Sequence, residues 1–135
     1  MKNLTIFAGL LITVCFASTL SYGHHSAAGI DRTKTVTVEG TVKQFKWANP
    51  HSWVEIEVPD KKGGVELWNA EMTAPSGLVR AGWKKTTINA GDKVKLVVNP
   101  MTNGTPGGLF VSITLPTGQV LTQQAPRPAQ AAAAP

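Results

Sequence analysis

Apolar and polar residues alternate along much of the chain between residues 35 and 121, which is the period of half-buried β-strands. The first run, residues 35–47, carries its valines on one face and then changes parity at Phe45 and Trp47. A change of face inside one strand predicts a bulge or sharp bend, and Gly40 permits close curling there. Such a strand contributes to both sides of a small barrel.

Two hairpin-like pairs of strands follow from the same alternation. Residues 52–58 and 65–72 flank a Pro/Asp/Lys/Gly turn, which predicts a β-hairpin. Residues 93–99 alternate as well. They are joined by a Gly/Pro/Asn loop to residues 109–115, where Leu109, Val111, Ile113 and Leu115 are expected to share one face.

A short helix is predicted between the third and fourth strands. Thr73 is the expected N-cap of one or two turns over residues 76–81, and Gly82 is the stop signal. Three strands, a helix and two more strands, with a long bent first strand, are typical of an OB-fold. The sequence therefore predicts an all-β chain with one short helix, folded as a five-stranded OB-fold-like barrel. A small β-sandwich is the alternative, although it normally needs about seven strands.

The two ends of the chain differ in composition from this folded part, residues 24–122. Residues 1–23 have a basic start, an apolar run and small residues at the end, which predicts a signal peptide cleaved after Gly23, or after Ser21. A transmembrane anchor is the alternative, but a span needs about 20 predominantly apolar residues and this run is diluted by Thr and Ser. Residues 123–135 are Ala/Pro-rich and are expected to form a disordered tail. We therefore expect a periplasmic or secreted protein without a stable membrane anchor after cleavage.

Composition narrows the classes of function further. An apolar content of 42 % in 135 residues is enough for one packed core. The single cysteine, Cys15, lies in the predicted signal peptide, which excludes an internal disulfide. The net charge of +5 is scattered and forms no basic stripe, so no nucleic-acid partner is expected.

All three histidines lie in segments that are predicted to border a binding site. His24 and His25 begin the expected mature chain, and His51 lies in the loop between the first two strands. An exposed N-terminal histidine chelates a metal through its amine and side chain, and a further imidazole completes a set suited to Cu(II). His24, His25 and His51 are thus the candidate ligands of a copper site. The alternatives are a solvated terminus for the first two and a turn-capping role for His51.

A second candidate site rests on the two loops that border the usual binding face of an OB-fold. Trp47, Asn49 and Trp53 surround the first loop, and Met101 lies in the loop between the fourth and fifth strands. Most tryptophans are core residues, so we expect Trp53 in the core, with an exposed stacking platform as the alternative. This site would bind a small ligand or a periplasmic protein without a metal.

Catalytic chemistry is poorly supported by the residue types. The chain has three histidines and eight acidic residues, but their spacing does not single out a catalytic triad or a carboxylate pair. A copper redox catalyst is the enzymatic alternative, and it requires an open coordination position. We therefore favour a binding module over an enzyme.

Several motifs together resemble a family of small exported bacterial proteins known as domain of unknown function 6152. They are His-His-Ser after the signal peptide, Asn-Pro-His-x-Trp at residues 49–53, Pro-Ser-Gly-Leu-x-Arg-x-Gly-Trp at residues 75–83, and Gly-Asp-x-Val at residues 91–94. The resemblance implies an exported OB-like barrel and brings no catalytic residues with it. The family often has an aromatic residue after His-His-Ser, whereas this chain has Ala27.

Overall fold

A computed structural model describes residues 29–124 of the chain. Within this part, six strands and one helix follow one another along the sequence. Their bounds are β1 (Val36–Lys46), β2 (Trp53–Pro59), β3 (Val65–Glu71), α1 (Pro75–Arg80), β4 (Lys93–Pro100), β5 (Gly107–Thr114) and β6 (Val120–Thr122).

The first five strands close into a barrel. β1 pairs antiparallel with both β2 and β4, β3 pairs antiparallel with β2, and β5 pairs antiparallel with β4. A short parallel pairing between β3 and β5 joins the two ends of the sheet, and β6 extends it beyond β5. This connectivity is that of an OB-like barrel, so the predicted fold class is confirmed and a two-layered sandwich is excluded.

The predicted bend in β1 is present. Its pairing with β2 shifts register between Val42 and Gln44, and Lys43 and Gln44 are both exposed where a regular strand would alternate. Gly40 lies so close to β2 that an added Cβ would overlap the carbonyl oxygen of Glu57. A glycine is needed at this point because the strand curls onto its neighbour there.

The barrel encloses one hydrophobic core. Val54 and Ile56 of β2, and Leu96 and Val98 of β4, are fully buried, as their alternation predicts. Each such side chain contributes about 1.5–3 kcal/mol relative to an exposed position. The remaining buried apolar residues are Val42, Ala70, Met72, Leu78, Trp83, Ile88, Val94, Phe110 and Ile113.

β5 departs from its predicted alternation. Phe110 is 2 % exposed and Ile113 is fully buried, whereas Leu109 and Val111 are half-buried. The pairing of β5 with β4 shifts register at Val111, so that this residue is extra in a bulge. The expectation that Leu109, Val111 and Ile113 share one inward face is therefore wrong, because the bulge turns Phe110 inward.

The helix begins and ends one residue before the predicted range of 76–81, and its cap differs from the predicted one. Pro75 is the first helical residue and Ala74 is the N-cap, without a side-chain hydrogen bond. The assignment of Thr73 as N-cap is wrong, since proline suits the first helical position and fixes the cap directly before it. The predicted stop is confirmed: Gly82 has φ +89°, and the N–H groups of Gly82 and Trp83 donate to carbonyls of the last turn.

Gln123 fastens the end of the described chain to the barrel. The N–H of Thr73 donates to Gln123 Oε1 at 2.7 Å, and Gln123 Nε2 donates to the carbonyl of Phe110 at 3.3 Å. These two contacts lie just past the short β3–β5 pairing, so the side-chain amide bridges the strands where their own ladder ends. Gln123, the first residue of the predicted tail, is thus hydrogen-bonded to the barrel, and residues 125–135 lie outside the described residues.

We expect Gln123→Ala to lower the free energy of unfolding by about 1–3 kcal/mol, because it leaves the part-buried N–H of Thr73 unpaired. Urea denaturation measures the loss. Gln124→Ala is the matched control, since Gln124 is exposed, and a change within about 0.5 kcal/mol is expected there. Equal losses in the two variants would contradict the bridging role.

Candidate functional site

His51 is the one predicted metal ligand within the described residues, whereas His24 and His25 lie outside them. It precedes β2 in the loop of residues 47–52, directly after the cis peptide bond between Asn49 and Pro50. Backbone pairing continues past the end of β2, because the N–H of Met72 donates to the carbonyl of Ser52 at 2.8 Å. Side chains alternate along such a ladder, so His51 lies on the same face as Trp53.

The imidazole of His51 is oriented through its Nδ1 atom. Nδ1 lies 3.1 Å from the carbonyl oxygen of Met72 and 3.1 Å from Oε1 of Glu71. Both partners are acceptors, so Nδ1 carries the proton and Nε2 of the neutral ring keeps its lone pair. The His51 side chain is 46 % exposed and that of Glu71 only 9 %. A buried carboxylate thus holds an accessible ring, and Glu71 is a residue that the sequence analysis missed.

A groove of about 490 Å³ lies beside this pair. Trp53 of β2 faces Glu71 directly across the β2–β3 ladder, and both line the groove together with Met101. The other lining residues come from the N-terminal segment, β3, the loop 101–106 and the start of β5: Gly29, Ile30, Asn69, Thr105, Pro106, Gly107 and Gly108. The groove therefore lies at the loops that border the binding face of an OB-like barrel.

The structure does not bring all four residues of the predicted ligand site to the groove. Trp53 and Met101 line the groove, and Trp53 is half-buried there, so the expectation that it belongs to the core is wrong. Trp47 instead packs edge-on against Phe45, with ring centroids 5.6 Å apart, and contacts the core. Asn49 is exposed in its loop and does not line the groove.

The described N-terminal segment runs along one wall of the groove. Ile30 forms an isolated bridge with Met101, and the N–H of Thr102 donates to the carbonyl of Gly29 at 2.7 Å. An added Cβ on Gly29 would lie 3.5 Å from Cε of Met101. The chain therefore enters the barrel beside the groove, four residues after His25.

Asp31 fixes the turn that follows. Its N–H donates to the carbonyl of Pro100 at 2.9 Å. Its carboxylate accepts hydrogen bonds from Thr33 and pairs with Lys34, which lowers the pKa of Asp31 to about 2. The carboxylate of Asp31 is thus ionised and hydrogen-bonded at neutral pH. The turn holds the N-terminal segment against the end of β4.

A separate depression of about 400 Å³ contains none of the predicted site residues. Lys95 and Glu39, which line it, form an ion pair at 2.9 Å. Their charges are therefore compensated, and the groove beside Glu71 is the better candidate for a site.

Residues 29–124 contain neither a ready metal cluster nor a membrane-spanning helix. No cluster of three or more His, Cys, Asp or Glu side chains there is arranged to hold a metal ion. No helix in the same range is long and apolar enough to cross a membrane.

The fold and the groove define a small OB-like β-barrel with a candidate binding groove at its loops. The chain belongs to a family of unknown function, DUF6152, whose model matches residues 11–111. The resemblance inferred from the motifs is thus confirmed at the level of the family, and the matched range includes His24, His25 and His51. No curated protein and no solved structure matches the chain.

Proposed function

We propose that the protein is an exported copper-binding module that holds one Cu(II) ion with His51 and with His24 and His25 of the N-terminal segment. The observation that supports it is the hydrogen bonding of His51 Nδ1 to Glu71 and Met72, each at 3.1 Å. Metal-binding histidines almost always donate their second ring N–H to a carboxylate or carbonyl, which fixes the tautomer and orients the ring. His51 has this arrangement in the structure.

The N-terminal histidines are within reach of the groove on chain length alone. Gly29 lines the same groove as Glu71, and the four residues from His25 to Gly29 span at most about 14 Å. Export with cleavage after Gly23 would expose the amine of His24 as an additional nitrogen ligand. Nitrogen ligands in a square-planar or T-shaped set favour Cu(II) over other common divalent ions.

Native mass spectrometry of the protein exported from cells tests this function. The mass identifies the N-terminal residue, and one equivalent of Cu(II) is then added. We expect a chain that begins at His24 and retains one copper ion. Competition with a chelator of known affinity then compares variants. His51→Asn is expected to weaken copper binding by about 100-fold or more, since even partners of metal ligands change affinity 10- to 100-fold.

Two further variants separate ligand, positioning and general effects. Glu71→Gln retains a hydrogen-bond acceptor for the ring but loses the charge, so about a tenfold loss of copper affinity is expected. Asn49→Ala changes an exposed side chain of the same loop and is expected to leave copper binding unchanged. A chain that begins elsewhere, or a copper affinity unaltered by His51→Asn, would refute the site.

Ligand binding in the groove without a metal is a second candidate function. Its support is the position of Trp53, which is half-buried beside the groove while Trp47, Trp68 and Trp83 pack on or in the core. An indole placed in this way offers a flat surface for a ligand or a partner side chain.

A further inference from the structure

Glu71 is an unusual residue for the wall of a groove. The whole residue is 6 % exposed, and Glu71 is the one charged side chain among the described residues that line the groove. The Oε1 atom contacts Nδ1 of His51. Burial of a carboxylate is costly unless the charge is compensated.

The described part of the protein supplies little compensation for this carboxylate. His51 gives Glu71 one hydrogen bond, through Nδ1 at 3.1 Å, from a side chain that is itself 46 % exposed. The lysines of the neighbouring β1 do not pair with Glu71: Nζ of Lys43 lies 3.0 Å from Glu55, and Lys46, opposite Trp53 in the ladder, forms no ion pair with Glu71. A cation that entered the groove would therefore meet a buried anion without a full counter-charge.

The other walls suit the hydrocarbon part of such a ligand. Trp53 lies directly opposite Glu71 in the strand pairing, and the side chain of Met101 lines the same groove. An aromatic face attracts ammonium and guanidinium groups and packs against aliphatic stems. The thioether of methionine adapts to ligands of different shape.

The negative charge on this face of the hairpin is local to Glu71. Glu55 and Glu57 share the face with Glu71, whereas Glu66 lies on the opposite one, and neither strand contains a lysine or arginine. Lys43 of β1 compensates Glu55 at 3.0 Å. Glu71 is therefore the carboxylate beside the groove that attracts a cation and repels an anion.

We propose that the groove binds an organic cation, an ammonium or guanidinium group on an aliphatic stem, with the charge against Glu71 and the stem against Trp53 and Met101. This inference deepens the second candidate function by naming the chemistry of the ligand, and it requires no metal. A free amine and a lysine or arginine side chain of a partner share this chemistry.

NMR titration of the ¹⁵N-labelled exported chain in the presence of EDTA tests the proposal. The probes are pentylammonium, N-acetyl-lysine N-methylamide, N-acetyl-arginine N-methylamide and the neutral N-acetyl-norleucine N-methylamide. We expect the cationic probes to shift the backbone amides of Asn69, Glu71 and Gly108, and the norleucine probe to bind much more weakly. Preference for pentylammonium would indicate a free amine as ligand, and preference for the blocked amino acids would indicate a side chain of a partner.

Variants then test the role of the carboxylate. Glu71→Gln is expected to weaken the cationic probes about tenfold or more, since hydrogen bonds to charged groups are the strong ones. Glu57→Gln removes a charge from the same hairpin outside the groove and is expected to leave affinity within about twofold. Trp53→Leu, which keeps the carboxylate, is expected to weaken all cationic probes.

Two outcomes would overturn the proposal. Equal affinity for norleucine and lysine probes would retain a ligand groove but exclude recognition of charge. No shift of the groove amides with any probe would exclude both the cation and the groove as its site. Neither outcome bears on copper, because EDTA is present throughout and the copper site is tested by His51→Asn.

Discussion

Replacement of Gly108 by alanine is expected to lower the free energy of unfolding by about 3–5 kcal/mol, a large part of the stability of a small domain. Gly108 is buried in β5 with φ +155°. An added Cβ would overlap the carbonyl oxygen of Asn99 and lie 2.8 Å from its carbonyl carbon. Strained backbone and overpacking each cost about 1–3 kcal/mol.

The neighbouring backbone cannot easily move away from such a methyl group. Gly108 is paired with Pro100 of β4 on one side and with Ala70 of β3 on the other. The pairing with β3 is the short parallel seam that closes the barrel. A shift of Gly108 away from Asn99 would therefore press it against Ala70 and disturb this seam.

Gly104→Ala is the matched control for this substitution. Gly104 has φ +78° in the adjacent loop, and an added Cβ would meet no atom within 4 Å. Its cost is thus the conformational penalty alone, about 1–2 kcal/mol. Urea denaturation of both variants measures the difference, and a loss at position 108 no larger than that at position 104 would contradict the steric argument.

Closure of the barrel and formation of the groove depend on the same glycines. At Gly107, an added Cβ would overlap the carbonyl oxygen of Asn69, another residue that lines the groove. β3 and β5 approach closely here because neither glycine has a side chain. The groove is consequently lined by backbone at this point, beside Glu71 and Met101.

Much of the fold could be predicted because alternation records burial directly. The bend of β1 is visible in the sequence as a change of parity after Gly40. Before the change, apolar residues occupy every second position of one parity, and after it they occupy positions of the other parity. The bulge of β5 is not visible, because apolar residues occupy both parities in Leu109-Phe110-Val111. The sequence there fits either face, and the pairing with β4 decides between them.

The candidate site could be predicted only in part. His51, Trp53 and Met101 follow from the loops of an OB-like barrel, but their partners depend on long-range register. Glu71 is twenty positions from His51 in sequence, and only the β2–β3 pairing brings them together. Likewise, the role of Gln123 is hidden in a segment whose composition is typical of a disordered tail.

Phe110→Ala is expected to lower the free energy of unfolding by about 3–5 kcal/mol, as large-to-small substitutions at fully buried aromatic residues do. Phe110 packs edge-on against Trp83, with ring centroids 5.8 Å apart and an interplanar angle of 79°. The ring centroids of Trp83 and Phe45 also lie 5.8 Å apart. The substitution removes one edge-to-face pair, worth about 0.5–1.5 kcal/mol beyond burial, and leaves a cavity beside Trp83.

Val111→Ala is the informative comparison, because the alternation of the sequence places Val111 inward and the structure places Phe110 there. Val111 is half-buried at the bulge, so its truncation is expected to cost about 1 kcal/mol or less. Urea denaturation and the near-ultraviolet circular dichroism of the four tryptophans report both variants. A larger loss at Val111 than at Phe110, with the aromatic signal unaltered in Phe110→Ala, would show that β5 keeps a regular alternation without the bulge.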